Sequence, residues 1–264
     1  MNKIFPTLLL TAMATGVLHA EVSSEKNNAS EVTGENTAII PVSKLEQDSY
    51  DWFKRHEEVL AAQKTLNPEV VLIGDSITHF WGGEPKSKQN GPKAWQMTFA
   101  KYSVLNMGFG WDRTQNVLWR LKNGEMDGLK PKVIILNIGT NNLSGTRNAR
   151  ANTPGEICDG IVEICKLLRQ KSPSSQVVVM GIFPRKNQAF FEKIKTINSL
   201  IPQKLAGQPS TRFLDISQKM LNADGTFRDD LFLDGTHPNE QGYAIWGQAL
   251  AASGLLPERH DNAK

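Results

Sequence analysis

Two short segments of the sequence hold residue types that together suit nucleophilic chemistry at a carbonyl carbon. Ser76 follows the apolar run at residues 70–73 and the pair Gly74-Asp75, and Asp234 precedes His237 by three residues. A serine hydroxyl is a weak nucleophile until a base removes its proton. An aspartate at this spacing can fold back onto the imidazole, which keeps one ring nitrogen protonated and leaves the other free to accept the serine proton. The pattern predicts acyl transfer with Ser76 as nucleophile, His237 as base and Asp234 as its orienting partner.

Such a reaction also needs hydrogen-bond donors for the negative charge of its tetrahedral intermediate. Asn141 follows an apolar run that ends at Gly139, and the Gly-rich turn at residues 107–112 follows another apolar segment. Each feature alone is weak, because a surface Asp-x-x-His is often incidental. Their joint occurrence at successive loops is what indicates a site.

The elements that position these residues alternate between strand and helix. Apolar runs predict strands at residues 70–74, 102–106, 132–139, 176–182 and 211–216. Helical periodicity predicts helices at residues 48–66, 113–121, 154–170, 188–201 and 239–252, with a further helix beginning near Trp95. The alternation predicts an α/β fold, a three-layer α/β/α sandwich around a central parallel five-stranded sheet.

Three details of this reading are open to a structural check. Asp112 is predicted to cap the helix at residues 113–121, and Pro202 is predicted to end the helix that precedes it. His56 falls in the apolar stripe of the helix at residues 48–66, where a packing role is expected.

Composition restricts the function to a few classes. The chain has 264 residues, a net charge of +3 and an apolar fraction of 39%, which is ordinary for a globular protein. No cluster of Lys and Arg indicates a nucleic-acid partner. The five His and two Cys show no zinc-ligand spacing, so no metal and no cofactor is expected.

The N-terminus has the pattern of a secretory signal. Lys3 supplies a positive charge, residues 4–17 are largely apolar, and Ala20 offers a cleavage point. A retained membrane anchor is the alternative, but the apolar stretch is short for a span and no stable membrane insertion is expected after cleavage. Residues 21–45 are predicted to be a disordered leader, with the folded domain at residues 46–258. The mature protein is therefore expected in the periplasm or outside the cell.

The two cysteines are predicted to be free. Cys158 and Cys165 fall on one face of the predicted helix at residues 154–170. Seven residues along a helix separate two Cα atoms by about 10 Å, which exceeds the reach of a disulfide.

Four blocks of the sequence resemble those of the SGNH (GDSL-type) hydrolase family. They are Gly74-Asp75-Ser76-Ile77-Thr78, residues 106–112, Gly139-Thr140-Asn141-Asn142 and Asp234-Gly235-Thr236-His237-Pro238. Within the family, residues 117–125 and 130–133 are most similar to the branch of the platelet-activating-factor acetylhydrolase catalytic subunits. The resemblance implies a flavodoxin-like fold, a serine ester hydrolase activity and the roles given above to Ser76, His237 and Asp234.

The resemblance further implies an oxyanion hole made by the Ser76 backbone N–H, a backbone N–H of the second block and the Asn141 side-chain amide. The family usually has Gly before the aspartate of that block, whereas this chain has Trp111 before Asp112. The donor is then Trp111 N–H if the local φ suits a residue with a Cβ, and Gly108 or Gly110 if the turn is rebuilt. The indole narrows the pocket in one interpretation and covers the edge of the core in the other.

The resemblance and the export signal together imply removal of short acyl groups, acetyl above all, from a sugar polymer or glycan. Trp81 and Trp111 are candidates for stacking on sugar rings, with core packing as the alternative. A lipid ester is the second substrate class considered, and a non-catalytic glycan-binding module is the third hypothesis. Neither a monomer nor a homodimer is excluded.

Overall fold

The computed structural model describes residues 34–258 together with Met1. The predicted signal peptide beyond Met1 and the predicted leader as far as residue 33 lie outside the described residues.

A parallel sheet of five strands forms the centre of the domain. The strands are β1 (Val70–Gly74), β2 (Val104–Gly108), β3 (Val133–Asn137), β4 (Gln176–Met180) and β5 (Thr211–Leu214). Their order across the sheet is β2-β1-β3-β4-β5. Every residue of the central strands β1 and β3 is buried, as expected for apolar runs covered on both faces.

Within residues 34–258, seven α-helices connect and cover the strands. They are α1 (Trp52–Thr65), α2 (Ser76–His79), α3 (Pro92–Phe99), α4 (Thr114–Lys122), α5 (Pro154–Lys171), α6 (Gln188–Lys204) and α7 (Glu240–Ala252). Four short 3₁₀ turns complete the described chain, at Thr37–Ile39, Asn141–Leu143, Ser217–Met220 and Asp229–Leu231.

Successive side chains of the strands pack into two separate cores, one on each face of the sheet. Val71 and Ile73 of β1 pack with residues of α1, α4, α5 and α6 on one face. Val70 and Leu72 pack with residues of α3 and α7 on the other face. Cys158 and Cys165 are buried thiols within the first core. This arrangement confirms the predicted α/β/α sandwich.

Two local predictions about helices are corrected by the structure. Helix α6 does not end before Pro202 but continues through it to Lys204. Pro202 lacks the N–H that would bond to the carbonyl of Asn198, but the helix ends only two residues later, so little regular helix follows the missing bond. The four-residue helix α2 was not predicted, because its sequence is too short to show a helical period.

The predicted disordered leader ends too late in the sequence. Residues 36–45 pack against the domain, with Ala38 fully buried. The Thr114 hydroxyl donates to Ala38 O at 2.8 Å, and the Asn116 amide donates to Ser43 O at 2.6 Å. Side chains of helix α4 thus bind backbone carbonyls of this segment and hold it against the domain.

Within residues 34–258, none of the helices has the length and apolar character needed to cross a bilayer.

Candidate active site

The first three strands leave the sheet at the same level, which brings their following loops together. Gly74 is the register partner of Gly108 in β2 and of Asn137 in β3. A Cβ on Gly74 would lie 2.3 Å from Asn137 O, and one on Gly108 would lie 2.3 Å from His79 N. The two glycines therefore allow helix α2, with Ser76 at its start, to sit directly on the strand ends.

Asp75 lies between the strand and the helix and is fully buried. Its Oδ1 accepts a hydrogen bond from Ile77 N at 2.9 Å, which caps helix α2, whereas its Oδ2 has no partner among the described residues. Burial raises the pKa of the Asp75 carboxyl to about 7.

Ser76, His237 and Asp234 form a continuous hydrogen-bonded chain. His237 Nε2 lies 2.9 Å from Ser76 Oγ, and His237 Nδ1 lies 2.8 Å from Asp234 Oδ2. The other Asp234 oxygen accepts hydrogen bonds from the backbone N–H groups of Thr236 and His237, both at 2.7 Å. This turn fixes the carboxylate against the ring, as the spacing of the two residues predicts.

The charge on Asp234 sets the tautomer of the ring. Partial burial raises the pKa of its carboxyl, but the hydrogen bonds from His237 and Thr236 lower the pKa by more, so the net value lies below the usual 3.8. An ionised carboxylate accepts a proton-bearing Nδ1, which leaves Nε2 as an acceptor for the Ser76 hydroxyl. The arrangement can therefore deprotonate Ser76.

Trp111 adopts a backbone conformation that ordinarily requires glycine. Its φ is 64°, in the left-handed region. For a residue with a Cβ this conformation costs about 1–2 kcal/mol. The turn has thus kept a glycine-like geometry although a tryptophan occupies the position.

Three amide groups at or near Ser76 each have an N–H hydrogen that makes no hydrogen bond within the described residues. Within the described part of the chain, neither the Ser76 nor the Trp111 backbone N–H has an acceptor. The Asn141 amide donates one hydrogen to Asp112 O at 2.9 Å and has a second hydrogen to offer.

The two alternative donors of the turn are already engaged. Gly108 N donates to Asn106 Oδ1 at 2.8 Å, and Gly110 N donates to His79 Nδ1 at 3.2 Å. Burial and the charges of Arg55 and Arg120 lower the pKa of His79 to about 2, so its ring is neutral and can accept this bond. Of the three candidates in the turn, Trp111 N–H is the one left without an acceptor.

The peptide group between Gly110 and Trp111 is held from its opposite side. The Tyr50 hydroxyl donates to Gly110 O at 3.2 Å. Burial raises the pKa of Tyr50, which keeps this hydroxyl protonated. Because Gly110 C=O and Trp111 N–H belong to one planar peptide, the bond from Tyr50 also fixes the direction of Trp111 N–H.

A buried ionic network supports the turn from below. Arg120 Nε pairs with Asp112 Oδ2 at 2.8 Å and its terminal nitrogen pairs with Glu125, while Trp52 Nε1 donates to Asp112 Oδ1 at 2.7 Å. Burial raises the pKa of Asp112 to about 6 even though Arg120 acts to lower it. Asp112 therefore does not cap helix α4, whose N-cap residue is Arg113. His56 is buried as expected, and its Nδ1 lies 2.9 Å from Glu125 Oε1, within hydrogen-bond distance.

A cavity of about 340 Å³ surrounds the Ser76 hydroxyl. Trp111 lines it and is 44% exposed, so its indole is pocket wall and not core. Trp81 is fully buried and stacks on Trp246 with ring centroids 4.3 Å apart, so it is a core residue and cannot contact a sugar. The full lining is Asp48, Ser76, Phe80, Trp111, Asn141, Ser144, Gly145, Thr146, Arg185, Thr236 and His237.

Three residues of this region were not anticipated from the sequence: Tyr50, His79 and Arg185. Tyr50 and His79 act on a turn that lies 60 and 31 residues away along the chain. Arg185 lies in the loop after strand β4, which ends at Met180, and this loop reaches the cavity. Within residues 34–258, no group of three or more His, Cys, Asp and Glu side chains is placed to hold a metal ion.

Comparison with known proteins gives one matching family. The sequence profile of the GDSL-like lipase/acylhydrolase family matches residues 72–245. Platelet-activating factor acetylhydrolase IB subunit alpha1 from Homo sapiens is 33% identical over 231 residues, which cover 87% of this chain and 90% of the human protein.

Solved structures show the same fold at lower identity. A GDSL-like lipase from Bacteroides thetaiotaomicron superposes with a TM-score of 0.60 at 20% identity, covering 76% of this chain and 96% of the other. A catalytic mutant of an acetylxylan esterase from Geobacillus stearothermophilus superposes with a TM-score of 0.55 at 15% identity, covering 74% and 98%.

Proposed function

This chain belongs to the GDSL-like lipase/acylhydrolase family, a family of ester hydrolases, and on that premise we propose that it removes short acyl groups from a carbohydrate. The proposed reaction is a serine ester hydrolysis through an acyl-enzyme, with acetyl as the preferred group. The hydrogen-bonded chain from Ser76 through His237 to Asp234 at the cavity is the observation that carries the proposal.

In the first half of the reaction, His237 Nε2 takes the Ser76 proton as Oγ attacks the ester carbonyl carbon. The protonated ring then gives this proton to the leaving alcohol, and the acyl group stays on Ser76. The Asp234 carboxylate stabilises the imidazolium that exists between these two steps. In the second half, a water molecule takes the place of the alcohol, and the acid is released by the same proton transfers in reverse order.

The tetrahedral intermediate of each half carries a negative oxygen. We assign its donors to Ser76 N–H, Trp111 N–H and the second hydrogen of the Asn141 amide. All three residues line the cavity, and both backbone donors lack an acceptor within the described part of the chain. Removal of one such donor typically costs about 2.7–4 kcal/mol of transition-state stabilisation.

Short acyl groups fit the shape of the cavity. Trp111 and Phe80 place two aromatic walls around a space of about 340 Å³, at the lower end of the range for ligand pockets. A carbohydrate alcohol agrees with the polar residues that complete the lining, among them Ser144 and Thr236. A long lipid chain would need an extended apolar groove next to Ser76, which this lining does not offer.

Ser76→Ala tests the proposed nucleophile. We expect wild type to hydrolyse p-nitrophenyl acetate. Ser76→Ala should lose about 10³-fold or more of that activity, because the three residues of a triad act as a unit. Ser199→Ala, which alters an exposed serine of helix α6, is the matched control and should retain full activity. A wild type without esterase activity would instead favour the non-catalytic glycan-binding module.

Acyl-chain preference separates the two enzyme hypotheses. Rates on p-nitrophenyl esters from acetate to octanoate should fall steeply with chain length for a deacetylase. A maximum at octanoate would support the lipid esterase instead. Acetate release from a panel of acetylated glycans would then identify the natural alcohol.

Export is part of the proposal and rests on the pattern of residues 1–20. Signal-peptide cleavage after Ala20 would give a mature chain that begins at Glu21. Mass spectrometry of the protein recovered from the periplasm or the medium measures this directly. An intact N-terminus on a membrane-bound protein would favour the retained anchor.

A further inference from the structure

Arg185 is a cation in the cavity for which the described residues provide no ion-pair partner. It lines the same cavity as Ser76 and His237. Its Nε is buried and makes no hydrogen bond within the described chain, and its Nη1 has only a long contact of 3.4 Å to Ser144 Oγ. Arg120 is a useful contrast, because its guanidinium meets the carboxylates of both Asp112 and Glu125.

Asp75 and Asp234 both act on the charge of Arg185. Neither forms an ion pair with it within the described chain. Both oxygens of Asp234 are engaged by His237 and Thr236, and Asp75 directs Oδ1 to Ile77 N while its Oδ2 has no partner. Burial lowers the pKa of Arg185 by more than these two acids raise it. The guanidinium is thus a desolvated charge without a matched anion.

The position of this guanidinium is fixed by its surroundings. Its Cζ lies 4.5 Å from the centroid of the Phe190 ring. The next residue along, Lys186, donates its backbone N–H to Gly235 O at 3.0 Å, which ties the Arg185 loop to the loop that holds Asp234 and His237. A planar guanidinium held against a ring loses little freedom when it binds a ligand.

We propose that Arg185 binds a carboxylate on the alcohol part of the ester, so that the enzyme acts on an acylated sugar acid. This inference rests on the proposed function and names its substrate class. The guanidinium fork matches a carboxylate with two parallel hydrogen bonds, and Ser144 Oγ is placed to add a third. The small, hydroxyl-lined cavity favours a sugar acid over an anionic lipid as the source of the charge.

A matched pair of substrates tests the inference. Acetate release is measured from the acetylated methyl glycoside of glucuronic acid and from that of glucose, which differ in the carboxylate. Hydrogen bonds to charged groups contribute about 1.5–3 kcal/mol, so wild type should prefer the acidic substrate by about tenfold or more in kcat/KM. Arg185→Gln should abolish this preference, because it lowers the rate on the acidic sugar by about tenfold more than the rate on the neutral sugar.

Two further variants control for charge and shape. Arg185→Lys keeps the charge but not the fork, and should recover only part of the preference. Arg212→Gln removes an exposed arginine of strand β5 and should leave the preference unchanged. Melting temperatures of all variants show whether each is folded.

Three outcomes would overturn the inference. Equal wild-type rates on the two sugars would show that no carboxylate is recognised. Equal losses on both sugars in Arg185→Gln would show that the arginine supports Asp75 and Asp234 instead. A stronger Arg185-dependent preference for an acetylated lysophospholipid would assign the anion to a phosphate. In the first two cases, hydrolysis of p-nitrophenyl acetate by wild type keeps the proposed function intact. The third outcome would keep the ester hydrolysis but replace the carbohydrate with a lipid. Absence of any ester hydrolysis would remove both proposals.

Discussion

The two loops that meet at the cavity are built in opposite ways, although they leave the sheet at paired residues, Gly74 and Gly108. The loop with Ser76 is local: Asp75 caps the helix that begins one residue later, and no residue of this helix has a positive φ. The turn with Trp111 is strained, and its backbone is held by Tyr50 and His79 from other parts of the chain.

The difference separates two requirements of the proposed reaction. A nucleophilic hydroxyl only has to face the cavity. A strand end followed by a short capped helix places it there with ordinary backbone geometry. A backbone donor must be aimed at a charge that exists only during the reaction, and this aim depends on contacts between distant residues. Changes near Ser76 should therefore alter chemistry directly, whereas changes near Trp111 should act through the position of one peptide group.

The largest effect is expected on the side of the nucleophile, at Asp234. Asp234→Asn should lower kcat by about 10³- to 10⁴-fold, because the amide favours the tautomer with the wrong nitrogen facing Ser76. Its melting temperature should stay close to that of wild type, since Asp234 is exposed. Asp224→Asn is the matched control, because Asp224 makes a similar turn with Thr226 outside the cavity. A loss of less than about tenfold would show that Asp234 is not the orienting acid.

On the side of the turn, Tyr50→Phe should lower kcat by about tenfold and leave KM within about twofold. The lost hydrogen bond, of about 0.5–1.5 kcal/mol, fixes a donor that acts only in the transition state. Tyr102→Phe removes a bond of the same 3.2 Å length to Pro257 O at a distant site, and should affect stability alone. If both variants lose stability equally and neither loses kcat, Tyr50 has a structural role only.

Asp75 gives the nucleophile side a pH dependence of its own. The pKa of Asp75 is about 7 in the folded protein and 3.8 ordinarily, so the folded state binds the proton more tightly than the unfolded state does. The stabilisation that this proton provides is therefore lost as pH rises from about 4 to about 7. Asp75→Asn removes this titration. The melting temperature of Asp75→Asn minus that of wild type should increase by several °C between about pH 4 and about pH 7. In a domain of this size, 1 kcal/mol corresponds to about 2–4 °C. A difference that stays constant with pH would contradict the assignment.

The smallest effect is expected when Trp111 becomes glycine. Trp111→Gly keeps the φ of 64° without strain, so acetate turnover should change by less than about threefold, while the octanoate-to-acetate ratio rises because the pocket is wider. Trp111→Val is the informative partner, because a β-branched residue is not tolerated at this φ. We expect it to lose about tenfold in acetate turnover. Equal behaviour of the two variants would show that the backbone of the turn is not what matters.

The features that sequence predicted well are those encoded within a few residues. All five strands lie where apolar runs end in polar or glycine residues, and the Asp234 turn follows from a spacing of three. The serine, histidine and aspartate were brought together because loops after parallel strands share one edge of the sheet. Their catalytic roles remain proposals, whereas their proximity is a property of the fold.

The features that sequence missed depend on partners far along the chain. Asp112 has the right type and position for a helix cap, but Trp52 and Arg120 engage it in the interior, and no local pattern signals this. The packing of residues 36–45 depends on side chains of helix α4 that donate hydrogen bonds to their backbone carbonyls. Tyr50 likewise lies in a polar stretch whose neighbours give no sign that it reaches Gly110.

The left-handed conformation of Trp111 also constrains how the sequence can change over generations. A Cβ at this position costs about 1–2 kcal/mol, and the hydrogen bond from Tyr50 offsets a comparable amount. A glycine-to-tryptophan exchange is therefore milder in a chain that already carries Tyr50. We therefore expect loss of Tyr50 to be tolerated less well in a chain with tryptophan at position 111 than in one with glycine there, which is the pattern of a permissive substitution followed by an entrenched one.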